Sequence, residues 1–404
     1  MTLLLSLLFW LALGALVHTY VVYPALLRNW SRGRSNNTLH YQPEELWPRV
    51  SVICSLYNEE AVIVEKMVSL RDLDYPADRL QFYMGSDCSS DATNDLMHDL
   101  AKTWNTDAPY LHFFPFAERR GKPPVVNELV EKATAQNGVG PDHILLITDA
   151  NVILKPNTLN CMIRHFKNPT IAIVDAHMQH TGMRADGISQ AEHTYISGEV
   201  LLKHREGVLW QKMIGPFGGC YAIRSDYYSP VPPRFLVDDF FIAMSAFQRG
   251  GGAISDLEAV CYEAVSHDMQ EEYRRKRRIS SGNFQNMRHF RHLWWPPTSI
   301  LGFAFFSHKI LRWLGPFLLI MLLLSSGLLA LLGNIVFQWL FGSLVGGMVG
   351  VVLADHLARA LGWNVLPLRG AHYFLYMNLA LLEGFINYLK GIKSNVWQPP
   401  KRNH

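Results

Sequence analysis

The run Ile144-Leu145-Leu146-Ile147 delivers Thr148-Asp149-Ala150-Asn151. A carboxylate followed two residues later by a neutral oxygen donor suits a hard divalent cation, Mg²⁺ or Mn²⁺, bridging a diphosphate. Asn151 as a helix N-cap is the alternative. Val237-Asp238-Asp239-Phe240-Phe241 sets two carboxylates in an apolar frame. Such a pair raises the pKa of one member, as a general base requires. The plainer alternative has Asp238 opening a helix over 240–249. Glu118-Arg119-Arg120-Gly121-Lys122 offers Arg forks and a Lys point charge to phosphate oxygens, or is a solvated charge run. Arg274-Arg275-Lys276-Arg277-Arg278 is a run of cations that suits phosphate or anionic lipid headgroups.

Two further stretches end apolar runs in small and acidic residues: Ser55-Leu56-Tyr57-Asn58-Glu59-Glu60 and Gly85-Ser86-Asp87-Cys88-Ser89-Ser90-Asp91. Glu59 and Asp87 can accept from ribose hydroxyls or a base N–H. Helix capping by Asn58 and by Ser90 or Asp91 explains the same stretches, Asp87 excepted. Gly215-Pro216-Phe217-Gly218-Gly219 allows a ligand close to the backbone, or marks a tight turn.

Groups this far apart in sequence need a rigid frame. β-rich runs at 50–55, 80–85, 111–114 and 143–148 alternate with helical stretches at 60–70, 91–104 and 125–134. That alternation predicts an α/β, Rossmann-like, mostly parallel sheet with ligands at the carboxyl ends of its strands. The acidic stretches fall at those ends.

The chain has 404 residues, 37 Lys+Arg against 34 Asp+Glu, and a net charge of +3. That balance excludes a dedicated nucleic-acid binder. Its charges are segregated: residues 1–27 and 313–354 contain no Lys, Arg, Asp or Glu. Residues 3–27 are long enough to cross a hydrocarbon layer about 30 Å thick. Arg28, Arg32 and Arg34 follow them, which places the next residues in the cytoplasm. Residues 313–354 suit two spans hinged near Gly333-Asn334, 298–306 an interfacial helix, and 371–389 a further span interrupted by Glu383. With all of these crossing, the C-terminal Lys390, Lys393, Lys401 and Arg402 fall outside, against the charge rule. Either 298–312 also crosses or re-enters, or 371–389 does not cross fully. Five scattered cysteines without a C-x-x-C pair argue for reduced thiols, not a disulfide framework or a zinc site. The expected domains are an anchor at 1–28, a polar linker at 29–48, a catalytic domain at 49–292, and interfacial and transmembrane helices at 293–404.

Taken in order, these motifs resemble the membrane-embedded family 2 glycosyltransferases with a GT-A fold, the group of the cellulose, hyaluronan and poly-N-acetylglucosamine synthases. Tyr57-Asn58-Glu59-Glu60 resembles the family's opening nucleotide motif, Asp87 its second-strand Asp, and Asp149-Ala150-Asn151 its D-x-D metal motif. Val237-Asp238-Asp239 resembles its T-E-D motif, whose last Asp is the catalytic base. Gly121-Lys122 and Gly218-Gly219 fall at its R-G-K and acceptor-side glycine positions. Arg275 and Arg278 match the cations of Q/R-x-x-R-W, with Ile279 in place of the Trp.

The resemblance implies inverting, metal-dependent hexosyl transfer from a UDP-linked sugar to a glycan or lipid acceptor, with Mg²⁺ or Mn²⁺ at Asp149 and Asn151. Asp239 is the implied base. Glu59, Asp87, Lys122, Asp149, Gly218, Gly219, Asp238, Arg275 and Arg278 are the implied substrate contacts; His267 is read as a surface or packed histidine, with an extra metal ligand as the alternative. It also implies membrane-lipid contacts, exopolysaccharide or cell-surface polysaccharide synthesis, and a bacterial inner (plasma) membrane with the catalytic domain in the cytoplasm. A single-sugar glycolipid or polyprenyl-phosphate glycosyltransferase is the alternative, and a non-catalytic membrane scaffold stands behind both.

Overall fold

The structure, a computed structural model, describes residues 1–104, 110–181, 189–264, 269–363 and 365–392, without the side chains of 189–196 and 269. His267, Lys393, Lys401 and Arg402 lie outside the described residues. The chain divides into two compact units.

The first unit, drawn from residues 31–182 and 198–266, is built on one sheet of eight strands. They are β1 (Arg49–Leu56), β2 (Leu80–Asp87), β3 (Tyr110–Phe116), β4 (His143–Thr148), β5 (Val152–Leu154), β6 (Ile171–Thr181), β7 (Cys220–Arg224) and β8 (Gly252–Ala264). Their order is β3-β2-β1-β4-β7-β6-β8-β5. Every residue of β4 is buried, as expected of a central strand covered on both faces. The predicted strands and intervening helices are present. The first helix, Ile63–Arg71, begins later than the expected start at 60, because Asn58 adopts φ 52° and belongs to a turn.

The sheet is the expected Rossmann-like, mostly parallel one, with four of its seven strand pairs parallel and an antiparallel portion that the sequence did not indicate. The pairs β1–β2, β2–β3, β1–β4 and β6–β8 are parallel, whereas β4–β7, β6–β7 and β5–β8 run antiparallel. The reversal positions the site. With Thr148 opposite Cys220, the residue leaving β4 (Asp149) meets the residue entering β7 (Gly219). Asp149 N donates to Gly219 O at 2.9 Å. Chain direction also departs both ways from β1, towards β2 and β4, which opens a crevice at their carboxyl ends.

The second unit, drawn from residues 1–30, 183–197 and 267–391, is helical. Phe9, Ala12, Leu322, Leu329 and Phe337 form a core within it. Two helices are long and apolar enough to cross a membrane, Thr2–Trp30 and Ile335–Ala360. Ile300–Trp313 and Gly315–Leu331 pass the same test only as a pair bent by 64°. The expected hinge is present: Gly333 has φ 84°, and Asn334 Oδ1 caps the next helix through Val336 N and Phe337 N. Leu366–Leu389 is not among the span candidates. Its Glu383 pairs with Arg277 at 3.3 Å. Gly384 lies so close to Ser280 that an added Cβ would sit 2.4 Å from the serine Cβ. This helix is therefore packed along the Arg-rich helix Met269–His289.

Candidate active site

Asp149, Lys122, Asp238, Asp239 and Gly218 converge at the carboxyl end of β4. Gly121 has φ 87°, a left-handed conformation that a Cβ opposes. It turns the chain into the helix Lys122–Asn137. Asp87 fixes this loop, with its two carboxylate oxygens accepting from Arg120 N and Gly121 N, each at 2.7 Å. Only 3% exposed, Asp87 is a brace for the loop in this structure. Lys122 Nζ then reaches Asp149 Oδ1 at 2.6 Å and Asp238 Oδ2 at 3.8 Å. Burial opposes the Lys122 ammonium, but Asp149, Asp238 and Asp239 outweigh it and raise its pKa.

Asp238 and Asp239 begin the helix Asp238–Gln248, where Val237 precedes them and no side-chain cap forms. Asp238 is therefore not the expected capping residue. Desolvation, then repulsion from Asp238, pushes the Asp239 carboxyl up to about 7, against the opposing pull of Lys122. A carboxylate at that value is half-ionised near neutral pH, where a general base works best. Gly218 lies against it: an added Cβ would meet Asp239 Oδ2 at 2.6 Å. Tyr221, fully buried and electrostatically linked to both carboxylates, has no hydrogen-bond partner for its hydroxyl among the described residues.

At the ends of β1 and β2 the two turns are knitted together. Asn58 Oδ1 accepts from Ser90 N at 2.8 Å, Glu59 N donates to Thr93 Oγ1 at 2.8 Å, and Glu60 Oε2 accepts from Ala92 N at 2.9 Å. Glu59 is half-buried there. The two flanking arginines have partners of their own. Arg119 covers the Tyr57 ring at 3.4 Å, and Arg120 pairs with Glu128 at 2.9 Å. Arg275 and Arg278 belong to the helical unit, where Arg275 lies 3.7 Å from Glu272.

The donor set suits Mg²⁺ or Mn²⁺. Among the described residues no cluster of three His, Cys, Asp or Glu could hold a metal. The side chain of Asp149 is 35% exposed. Asn151 directs its amide nitrogen to Glu263 Oε1 at 2.9 Å, leaving its carbonyl oxygen as the potential donor. One or two protein oxygens, completed by phosphate and water, are what magnesium typically takes.

Sequence reasoning passed over three residues. Asp175, in the middle of the apolar strand β6, accepts from Lys203 Nζ and from Phe217 N, each at 2.6 Å. These bonds hold the loop before Gly218-Gly219. The third is Lys66, 0% exposed, which shares a helical face with Ile63, Met67 and Leu70. A cation on such an apolar stripe was the available signal. Asp175 and Lys203 are 1% and 5% exposed. Lys203→Met therefore removes a buried ammonium from a buried carboxylate and is expected to cost about 3–5 kcal/mol. This is measurable as a lowered unfolding midpoint, part of which Asp175→Asn restores in the double variant.

Comparison with known proteins is consistent with this geometry. The Glycosyl transferase family 2 model matches residues 51–229, and the Glycosyl transferase family group 2 model matches 143–380, more than half of the chain. A segment of 58 residues is 36% identical to the Probable glycosyltransferase YdaM of Bacillus subtilis and spans 14% of each protein. The mannosyltransferase PcManGT from Pyrobaculum calidifontis, solved in complex with GDP-Man and Mn²⁺, superposes with a TM-score of 0.70 at 21% identity, covering 95% of this chain and 99% of that one. S. aureus TarS 1-349 in complex with UDP-GlcNAc gives a TM-score of 0.40 at 16% identity over 83% of this chain and 92% of that one, too distant to bear on the site. The chain belongs to the Glycosyl transferase family group 2, and its sheet unit has the GT-A fold of a glycosyltransferase.

Proposed function

We propose that this protein transfers a sugar, with inversion, from a nucleotide-diphosphate donor, UDP-linked in the first instance, to a membrane-associated acceptor in cell-surface polysaccharide synthesis. The observation that carries the proposal is Asp239: a half-buried carboxyl pushed to about 7 beside Asp238, Lys122 and Gly218. In this mechanism Asp239 accepts the proton of the acceptor hydroxyl as that oxygen attacks the anomeric carbon. The C–O bond to the diphosphate breaks on the opposite face, so no sugar–enzyme bond forms. Lys122 stabilises charge gathering on the leaving diphosphate. A Mg²⁺ or Mn²⁺ held by Asp149 and Asn151 would supply Lewis-acid stabilisation of that same charge.

Glu59 and Asp87 line or brace the nucleoside side, Gly218 and Gly219 admit the acceptor, and Asp238 sets the field at the base. Arg275 and Arg278, matched to the family's cationic motif, complete the set of proposed substrate-binding residues. In domain terms, 49–292 would be catalytic and cytoplasmic, between an anchor at 1–28 and the membrane helices of 293–404, in a bacterial inner membrane.

The test is a screen of nucleotide sugars with purified protein and Mn²⁺, reading nucleoside diphosphate release and then product size. GDP-linked sugars join the UDP-linked set because a mannosyltransferase of like fold is known with GDP-Man. Polymer supports polysaccharide synthesis. A one-sugar lipid supports the glycolipid or polyprenyl-phosphate alternative, and no release from any donor favours the non-catalytic scaffold.

Lys122 also tunes the base. Its charge lowers the Asp239 pKa, so Lys122→Met is expected to shift the rising limb of the kcat/KM–pH profile towards alkaline pH. An unmoved limb contradicts the assignment of that limb to Asp239.

A further inference from the structure

We propose that Lys66 is a positioning residue for the turn that carries Asp149 and Asn151, and through it for the divalent cation and diphosphate of the donor. This rests on the function proposed above.

Lys66 is fully buried on the helix Ile63–Arg71. Its Nζ donates to Thr148 Oγ1 at 2.9 Å and to Val152 O at 2.5 Å. Those two residues bracket Asp149-Ala150-Asn151, so one ammonium ties both ends of the turn. Thr148 Oγ1 passes the link on, donating to Gly219 O at 3.0 Å, and that carbonyl also accepts from Asp149 N at 2.9 Å. The network therefore joins the Asp149 turn to the glycine loop facing Asp239.

No carboxylate lies within ion-pair distance of Lys66 among the described residues. A buried ammonium in that setting is costly. An apolar side chain of similar length would fill the space without the desolvation penalty, but it could not close the turn. Groups that orient metal ligands from behind typically change metal affinity by about 10–100-fold when removed.

The test compares wild type, Lys66→Met and Lys66→Arg as full-length purified protein. Amide hydrogen exchange is followed by mass spectrometry, and Mn²⁺ binding is measured in the presence of UDP. In Lys66→Met, exchange at residues 149–152 is expected to accelerate by about tenfold with β2 unchanged, and Mn²⁺ affinity to fall about 10–100-fold. Lys66→Arg, which keeps a donor, is expected to recover part of both. Thr148→Val deletes one acceptor of the ammonium and should give a weaker form of the same pattern; it serves if Lys66→Met does not fold. Unchanged exchange at the turn, or acceleration spread evenly over the sheet, overturns the proposal. Failure of wild type to bind Mn²⁺ with UDP overturns the donor chemistry instead, while the exchange pattern still decides the role of Lys66 in the turn.

Discussion

Asp239→Asn is expected to lower kcat for sugar transfer by about 10²–10⁴-fold, the range a positioned general base contributes, while nucleotide affinity stays near that of wild type. The amide preserves the shape of the side chain and removes its basicity. The loss should therefore appear in kcat and kcat/KM together, the signature of an interaction made only in the transition state. Stability should move the opposite way. The folded carboxyl titrates near 7 against an ordinary value of 3.8, so the folded state retains its proton to higher pH than the unfolded chain. Wild type therefore loses stability as pH rises from about 4 to about 7. Asn cannot ionise, so Asp239→Asn should have the higher melting temperature above pH 7, with the gain shrinking on acidification and disappearing near pH 4. A variant that loses activity and stability together at pH 8 would indicate misfolding rather than loss of a base.

Gly218→Ala is the second large effect. Its Cβ would come within 2.6 Å of Asp239 Oδ2 and 3.0 Å of Cγ, so the carboxylate or the loop must shift. The loop has little freedom, because Asp175 holds Phe217 N at 2.6 Å and Asp149 N holds Gly219 O at 2.9 Å. The carboxylate is the group that yields. Displacement of a reacting group by about 1 Å can cost about 10²-fold, and a loss of that size in kcat is expected with donor KM little changed. Calorimetric titration with UDP and Mn²⁺ beside steady-state kinetics separates the two parameters. A variant retaining full kcat would show that the Asp239 carboxylate is not held where the chemistry needs it.

Much of this site was legible in the sequence because strands announce their own ends. The run 144–147 is apolar and β-branched or Leu-rich, and the polar residues that follow it must emerge at the sheet edge. The same logic brought out Asp87 and the Tyr57-Asn58-Glu59 turn. What the pattern could not give was pairing. That β7 lies antiparallel beside β4 is a long-range fact, and it alone brings Gly218-Gly219 to Asp149. The role of Asp87 was also hidden, since its partners are backbone N–H groups of a loop 33 and 34 residues away, which any sequence supplies. Lys66 and Lys203 read as surface residues because lysine on a helix ordinarily is one. The apolar stripe around Lys66 is the one sequence signal of burial, and the packed structure shows both lysines buried and bonded. In the helical unit, composition located the hinge at Gly333-Asn334, but not the pairing of Glu383 with Arg277, which depends on a neighbouring helix.

The central claim is that Asp239 is the base of a sugar-transfer reaction, and the pH dependence of kcat/KM tests it most directly. With a donor identified by the screen, wild type should show a rising limb with an apparent pKa of about 7, belonging to the Asp238–Asp239 pair and missing from the residual rate of Asp239→Asn. A profile that is flat from about pH 5 to about pH 8 in wild type, or the same limb persisting in Asp239→Asn, would contradict it.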